Sequence, residues 1–109
     1  MMERLFVYGT LAPGRVNEHI LSPIKGSWET ATATGTLQHE GWGADMGYPG
    51  FVLDQQGKEI HGFLLTSHEL SHHWKNLDAF EGEAYERILI TVKLENNEIV
   101  DAYIYALRK

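Results

Sequence analysis

His68 and His72 stand four residues apart with Glu69 between them, in the stretch "HELSH". On a helix this is the spelling of a zinc peptidase: two imidazoles on one face bind the metal and the glutamate serves as general base. A catalytic zinc also needs a third protein ligand and a walled cavity. The other histidines, His19, His39, His61 and His73, offer no third-ligand spacing. Leu70, Trp74 and Leu77 follow at spacings of four and three, which makes a single apolar stripe. At roughly 100° per residue, His68 and His72 point away from that stripe and towards water. The residues therefore imply no metal site.

A carboxylate further along is better placed for chemistry. Asp78, Glu81, Glu83 and Glu86 crowd the segment "NLDAFEGEAYER", with Gly82 as the expected helix stop. Continued to that stop, the helix puts Glu81 on the same side as Leu70, Trp74 and Leu77. Burial there would raise its pKa, and so would the negative end of the helix dipole. A carboxyl tuned in this way suits a general acid or base working near neutral pH. The residues alone also allow a helix frayed at Phe80, with Glu81 turned into water or paired with Arg87. A second candidate feature is "VYGTL", residues 7–11, where a strand ends in Gly9 and turns. Main-chain N–H groups at such a turn can face an anion or a carbonyl oxygen, and glycine lets a ligand approach closely.

The elements that must position these residues alternate in kind. Leu5 to Tyr8 read as a strand, followed by a loop with a short helical turn near Asn17 to Leu21. "GSWETATATGTLQ" alternates and is rich in threonine, so it reads as a strand interrupted at Gly35. Residues 39–50 hold four glycines and a proline and read as a long irregular loop. "FVLDQQGKEIHGFLLT" reads as strand, turn at Gln55 to Lys58, strand. The main helix is expected to start at "TSHE", with Thr66 and Glu69 forming a capping box. Residues 84–107 form the clearest hairpin, turning at Asn96-Asn97. This order predicts an α+β fold: a mostly antiparallel sheet that can curl into a small barrel, with one main helix.

The bulk properties narrow the partners. The 109 residues make one domain spanning residues 1–109. The formal net charge is -6 with no basic stripe, which argues against nucleic acid and anionic membrane surfaces. There is no cysteine, which excludes disulfides and thiolate nucleophiles. The N-terminus does not read as a signal peptide, and no apolar run approaches the roughly 18 residues that span a bilayer. A cytoplasmic protein is expected.

Taken together, "VYGTL" after the first strand, "LDAFEG" after the helix, and "YER" behind it resemble the gamma-glutamylcyclotransferase-like superfamily, most of all its short bacterial members and the gamma-glutamylaminecyclotransferases. "GYPGF", residues 47–51, is similar to a pocket-lining segment of that family. The resemblance runs from residue 5 to about residue 105. It implies a small mixed β-barrel flanked by helices, and release of 5-oxoproline from a gamma-glutamyl amine or amino acid without a cofactor. It implies Glu81 as the catalytic residue, with Glu83 as a second candidate. It implies Tyr8, Gly9, Thr10 and Leu11 as the turn that holds the substrate, and Tyr48 and Pro49 as pocket walls, with Tyr103 less strongly marked. The partner would be a small molecule carrying a gamma-glutamyl group. The alternative is a non-catalytic binding module on the same fold.

The chemistry suits these residues. The substrate's own alpha-amine attacks its gamma-carbonyl, so no enzyme nucleophile is needed. One tuned carboxylate and one amide-rich turn make up the requirement.

Overall fold

The computed structural model describes residues 2–9, 11–15, 17–39 and 49–108. Among these described residues, six strands and one α-helix follow in the order β1 (Glu3–Val7), β2 (Ser27–Gln38), β3 (Gly50–Leu53), β4 (Lys58–Ser67), α1 (Trp74–Glu81), β5 (Tyr85–Leu94) and β6 (Ile99–Leu107). Short 3₁₀ turns occupy Glu18–Ile20 and Leu70–His72.

The strands form one sheet in the order β1-β4-β2-β3-β6-β5, and it closes through β1 against β6. The fold is a small mixed barrel, mostly antiparallel, as expected. Antiparallel ladders make most of the wall: β2 pairs with β4 from Ser27↔Thr66 to Gly35↔Lys58, and β5 with β6 from Tyr85↔Leu107 to Lys93↔Ile99. The two parallel contacts are each a single residue pair, Leu5↔Tyr103 between β1 and β6 and Phe51↔Ala106 between β3 and β6. β2 also touches β5 at Ala31↔Leu94 and Thr32↔Lys93.

Alternation along the strands divides the core into two layers. Phe6, Leu64, Ile104 and Ala106 point into the barrel with Phe51, Ile90 and Val92. Their neighbours Leu5, Val7, Leu65, Tyr105 and Leu107 face outwards, where Leu70, Trp74 and Leu77 cover them. Both faces of β1 and β6 are thus buried, which is why "LFV" and "YIYAL" read as nearly unbroken apolar runs. Ala31, Ala33 and Ala102 keep the barrel interior narrow enough for Phe6 and Phe51 to fill it.

Three local expectations need correction. Gly35 does not interrupt β2; it pairs with β3 and β4 at once. A Cβ there would lie 2.5 Å from the Phe51 ring and 2.6 Å from the Val52 carbonyl, so glycine is required by close approach. Thr66 does not cap the helix, because β4 runs on to Ser67 and pairs Thr66 with both Arg4 and Ser27. Ser67, at the end of β4, holds the chain there instead: its Oγ accepts the Glu69 N–H at 2.9 Å and donates to the Lys25 carbonyl. Glu69 accepts the Lys25 N–H at 3.2 Å rather than returning to Thr66. The α-helix itself begins only at Trp74, so "HELSH" spans a bend and a 3₁₀ turn. The Asn96-Asn97 turn is as expected, with Asn97 in the left-handed region at φ 70. The long loop predicted over residues 39–50 falls for the most part, at residues 40–48, outside the described residues.

Candidate active site

Glu81 is the last residue of α1 and is 7% exposed. Its burial follows from the stripe: Leu70, Trp74 and Leu77 are all buried on the same side. Gly82 ends the helix at φ 82, ψ -173, and its N–H donates to the Asp78 carbonyl at 3.0 Å. That backbone region is open essentially to glycine alone, so the chain leaves sharply and the helix does not fray before Glu81. Removal from water pushes the Glu81 carboxyl up from its ordinary 4.5 to about 7. Glu83, two residues on, is exposed.

Tyr8 follows β1 and ties the barrel together. Its hydroxyl donates to the Tyr105 carbonyl of β6 at 2.8 Å and accepts the Phe51 N–H of β3 at 2.8 Å. Its ring lies tilted on Phe51, centroids 5.8 Å apart. Burial raises the Tyr8 pKa well above the usual tyrosine range, and the charges of Glu81 and Tyr85 add to that against the opposing Phe51 bond. Tyr8 and Glu81, far apart in the sequence, thus interact electrostatically.

A polar network ties α1 to the β5–β6 hairpin. Arg87 grips Asp78 with two nitrogens, at 3.0 and 3.3 Å. The Tyr105 hydroxyl donates to the same Asp78 carboxylate at 2.7 Å. Burial opposes ionisation of Asp78, but the bonds from Arg87 and Tyr105 outweigh it and hold the carboxyl below its ordinary range. Tyr105 is pushed far up by burial, by its bond to Asp78, and by the charges of Asp78 and Glu81. The Arg87 guanidinium sits 4.4 Å over the Trp74 ring and 5.2 Å over that of Tyr103, a cation–π stack whose two rings meet edge to face. A hollow of about 290 Å³ opens on this network between Asp78, Tyr85, Arg87, Tyr105 and Arg108.

Of the substrate turn, Gly9 accepts the Ala12 N–H at 3.1 Å and is half-buried, while Leu11 is buried in the same cluster as Trp74, Leu77, Tyr85 and Tyr105. A second hollow of about 370 Å³ begins at Leu11 and runs between Trp28 and Phe63, with Glu18 and Glu29 at its rim. Pro49 is half-buried and directly precedes β3. Thr10 and Tyr48 lie outside the described residues. His68 and His72 are both exposed, and among the described residues no three His, Cys, Asp or Glu side chains converge as a metal site would require. No helix among them is long and apolar enough to cross a membrane.

Sequence reasoning missed the linkage of Asp78, Arg87 and Tyr105. A signal for part of it was present. The Asn96-Asn97 turn fixes the hairpin register, and counting outwards sets Arg87 opposite Tyr105.

Comparison with known proteins places this architecture. The family model described as "Gamma-glutamyl cyclotransferase, AIG2-like" matches residues 5–109. The crystal structure of YkqA from Bacillus subtilis superposes with a TM-score of 0.75 at 29% identity, over 99% of this chain and 36% of that one. This chain therefore spans about a third of that protein. A mouse (Mus musculus) AIG2-like protein superposes with a TM-score of 0.69 at 23% identity, over 96% of this chain and 76% of that one. A structure titled gamma-glutamyl cyclotransferase gives 0.67 at 14% identity, over 100% of this chain and 68% of that one, a likeness of fold. Among curated proteins none matches.

Proposed function

The chain belongs to the gamma-glutamyl cyclotransferase, AIG2-like family, and from that premise we propose that it is a cytoplasmic enzyme releasing 5-oxoproline from a gamma-glutamyl amine or amino acid. Glu81 is the general acid and base, the turn from Tyr8 to Leu11 holds the substrate, and Tyr48 and Pro49 are assigned as pocket walls. The observation that carries this reading is a buried carboxyl whose proton affinity lies at about 7.

The reaction asks little else of the protein. The substrate's neutral alpha-amine attacks the gamma-carbonyl carbon, forming the ring C–N bond. The ionised Glu81 takes the proton released by that nitrogen. The carbonyl oxygen becomes an oxyanion, for which main-chain N–H groups at Gly9, Thr10 and Leu11 are the donors, each worth roughly 3–4 kcal/mol. The intermediate then collapses, the bond to the leaving nitrogen breaks, and Glu81 returns its proton to that nitrogen. A group with pKa near the working pH can do both steps, for roughly 10²–10⁴-fold in rate. Holding the substrate folded contributes the remainder through proximity.

The test is a screen for 5-oxoproline, read by mass spectrometry, with gamma-glutamyl amino acids, a gamma-glutamyl-lysine isopeptide and gamma-glutamyl alkylamines. Release from at least one class is expected. Silence across all three, with binding retained, would replace the enzyme by a binding module.

A further inference from the structure

The α1 helix is eight residues long, from Trp74 to Glu81. A helix of that length does not hold together by itself in water, where roughly 12–15 residues are needed. No side-chain hydrogen bond caps its start at His73, and its exit is a glycine. Its position therefore comes from what it packs against. Trp74 and Leu77 choose the buried face, but apolar contact is non-directional and fixes the rotation and sliding of a short helix only weakly. A directional contact has to settle those.

Arg87 of β5 supplies it. Its guanidinium meets α1 at two residues four positions apart, which share one helix face. It lies 4.4 Å over the ring of Trp74, the first residue of the helix. It grips Asp78 through Nε at 3.0 Å and Nη2 at 3.3 Å, one nitrogen to each carboxylate oxygen. The Tyr103 ring of β6 lies 5.2 Å from the same guanidinium. Trp74 in turn donates its indole N–H to Glu3 of β1 at 3.2 Å. One guanidinium thus ties α1 to β5 directly and, through Trp74, to β1, the strand that leads into the Tyr8–Leu11 turn. Glu81 stands three positions beyond Asp78, in the last turn of the helix so held.

Magnitudes favour position over stability as the role of this clamp. The Asp78 side chain is 45% exposed and that of Arg87 25%, and ion pairs this open to water contribute little to the free energy of unfolding. Displacing a reacting group by about 1 Å, by contrast, can cost about 10²-fold in rate.

We propose that Arg87 is a positioning residue for Glu81: by holding Trp74 and Asp78 it sets the rotation and advance of α1, and with them the place of the Glu81 carboxyl relative to the Tyr8–Leu11 turn. This rests on the reading of Glu81 as acid and base. Arg87 acts through the helix and takes no part in proton transfer.

Lysine at this position keeps the charge but has neither the fork nor the flat stacking surface. Asp78→Asn keeps an oxygen for the Tyr105 hydroxyl and loses the charge. Steady-state kinetics are measured on the native chain, Arg87→Lys, Asp78→Asn and the double variant, with the compound that gives most 5-oxoproline in the screen and at a temperature where circular dichroism shows all of them folded. Lys93→Gln, which removes the Lys93–Glu59 pair at the other end of β5, is the control. Each clamp variant is expected to lose roughly 10–100-fold in kcat with KM nearly native. The double variant should lose no more than the worse single one, because the same contact is broken in both, and Lys93→Gln should keep the native kcat. Hydrogen exchange is followed in the same proteins at the Leu77 and Gly82 amides, which donate to the His73 and Asp78 carbonyls. It should quicken at least tenfold in the clamp variants while the β5–β6 ladder stays slow. Losses that multiply in the double variant, a risen KM with native kcat, or an equal loss in Lys93→Gln would overturn the proposal. Unchanged exchange at Leu77 and Gly82 would overturn it whatever the kinetics. Quickened exchange in a protein whose native chain turns over no gamma-glutamyl compound would remove the enzyme reading and leave the clamp on α1 standing.

Discussion

Glu81→Gln isolates the cost of holding a carboxylate where water is excluded. In the folded chain the group titrates near 7, against an ordinary 4.5. At about 1.4 kcal/mol per pH unit, the charged form costs the fold about 3 kcal/mol. The sign follows from linkage. Between pH 4.5 and about 7 the folded chain holds more protons on this group than the unfolded chain does, so stability from this source falls as pH rises. Below 4.5 the carboxyl is neutral in both states and the cost vanishes. Glutamine has nearly the same shape and no charge. The variant is therefore expected to match the native chain at about pH 4, to gain progressively through pH 7, and to exceed it by up to about 3 kcal/mol at pH 8.5. Urea unfolding at those pH values, followed by tryptophan fluorescence, measures the difference. The same variant should lose roughly 10²–10⁴-fold in kcat with KM little changed. A stability difference independent of pH, or a variant less stable than the native chain at pH 8.5, would refute the claim that burial opposes the charged form of Glu81. Loss of activity in Glu83→Gln rather than in Glu81→Gln would show that the wrong glutamate has been assigned.

Tyr8→Phe removes the hydroxyl that serves both the Phe51 N–H and the Tyr105 carbonyl, and should cost roughly 2–4 kcal/mol in urea unfolding because two inward groups lose their partner. Gly82→Ala forces a side chain into the φ 82 conformation and should cost roughly 1–3 kcal/mol; although space for the methyl group is open, kcat should fall with stability as the end of α1 shifts, and an unchanged kcat would contradict that coupling. Gly9→Val should abolish substrate binding, read by calorimetry, while circular dichroism stays native; retained affinity would move the pocket away from this turn.

The barrel was legible where chemistry is local. Period-2 alternation, the paired asparagines and the helix stripe each speak through near neighbours, so the hairpin, the stripe and the helix stop at Gly82 could be read before any contact was known. The helix start was misread because Thr66 and Glu69 match a capping box in spelling, while the ladder to Arg4 and Ser27 holds Thr66 in a strand. Gly35 was misread because a glycine that breaks a strand and one that admits the Phe51 ring look alike without the partner strand. Of the site, the burial of Glu81 was written in the periodicity of its own helix. The staple formed by Tyr8 was not, because its partners, Phe51 and Tyr105, lie 43 and 97 residues away.

The two single-pair parallel contacts have a consequence for local opening. They divide the barrel wall into two slabs, β1-β4-β2-β3 and β5-β6, each internally tied by antiparallel ladders and joined to the other by few bonds. The α1 segment is the strap that crosses from one slab to the other, and Glu81 sits at its far end while Tyr8 belongs to the first slab. Cooperative units of this kind separate at a lower free energy than either unit melts. The Tyr8 hydroxyl, which donates across the seam to the Tyr105 carbonyl of β6, therefore loses that bond when the seam parts, ahead of the bonds inside the β5–β6 ladder. The arrangement of Glu81 against Tyr8 is a property of the seam, and it comes apart before either slab does.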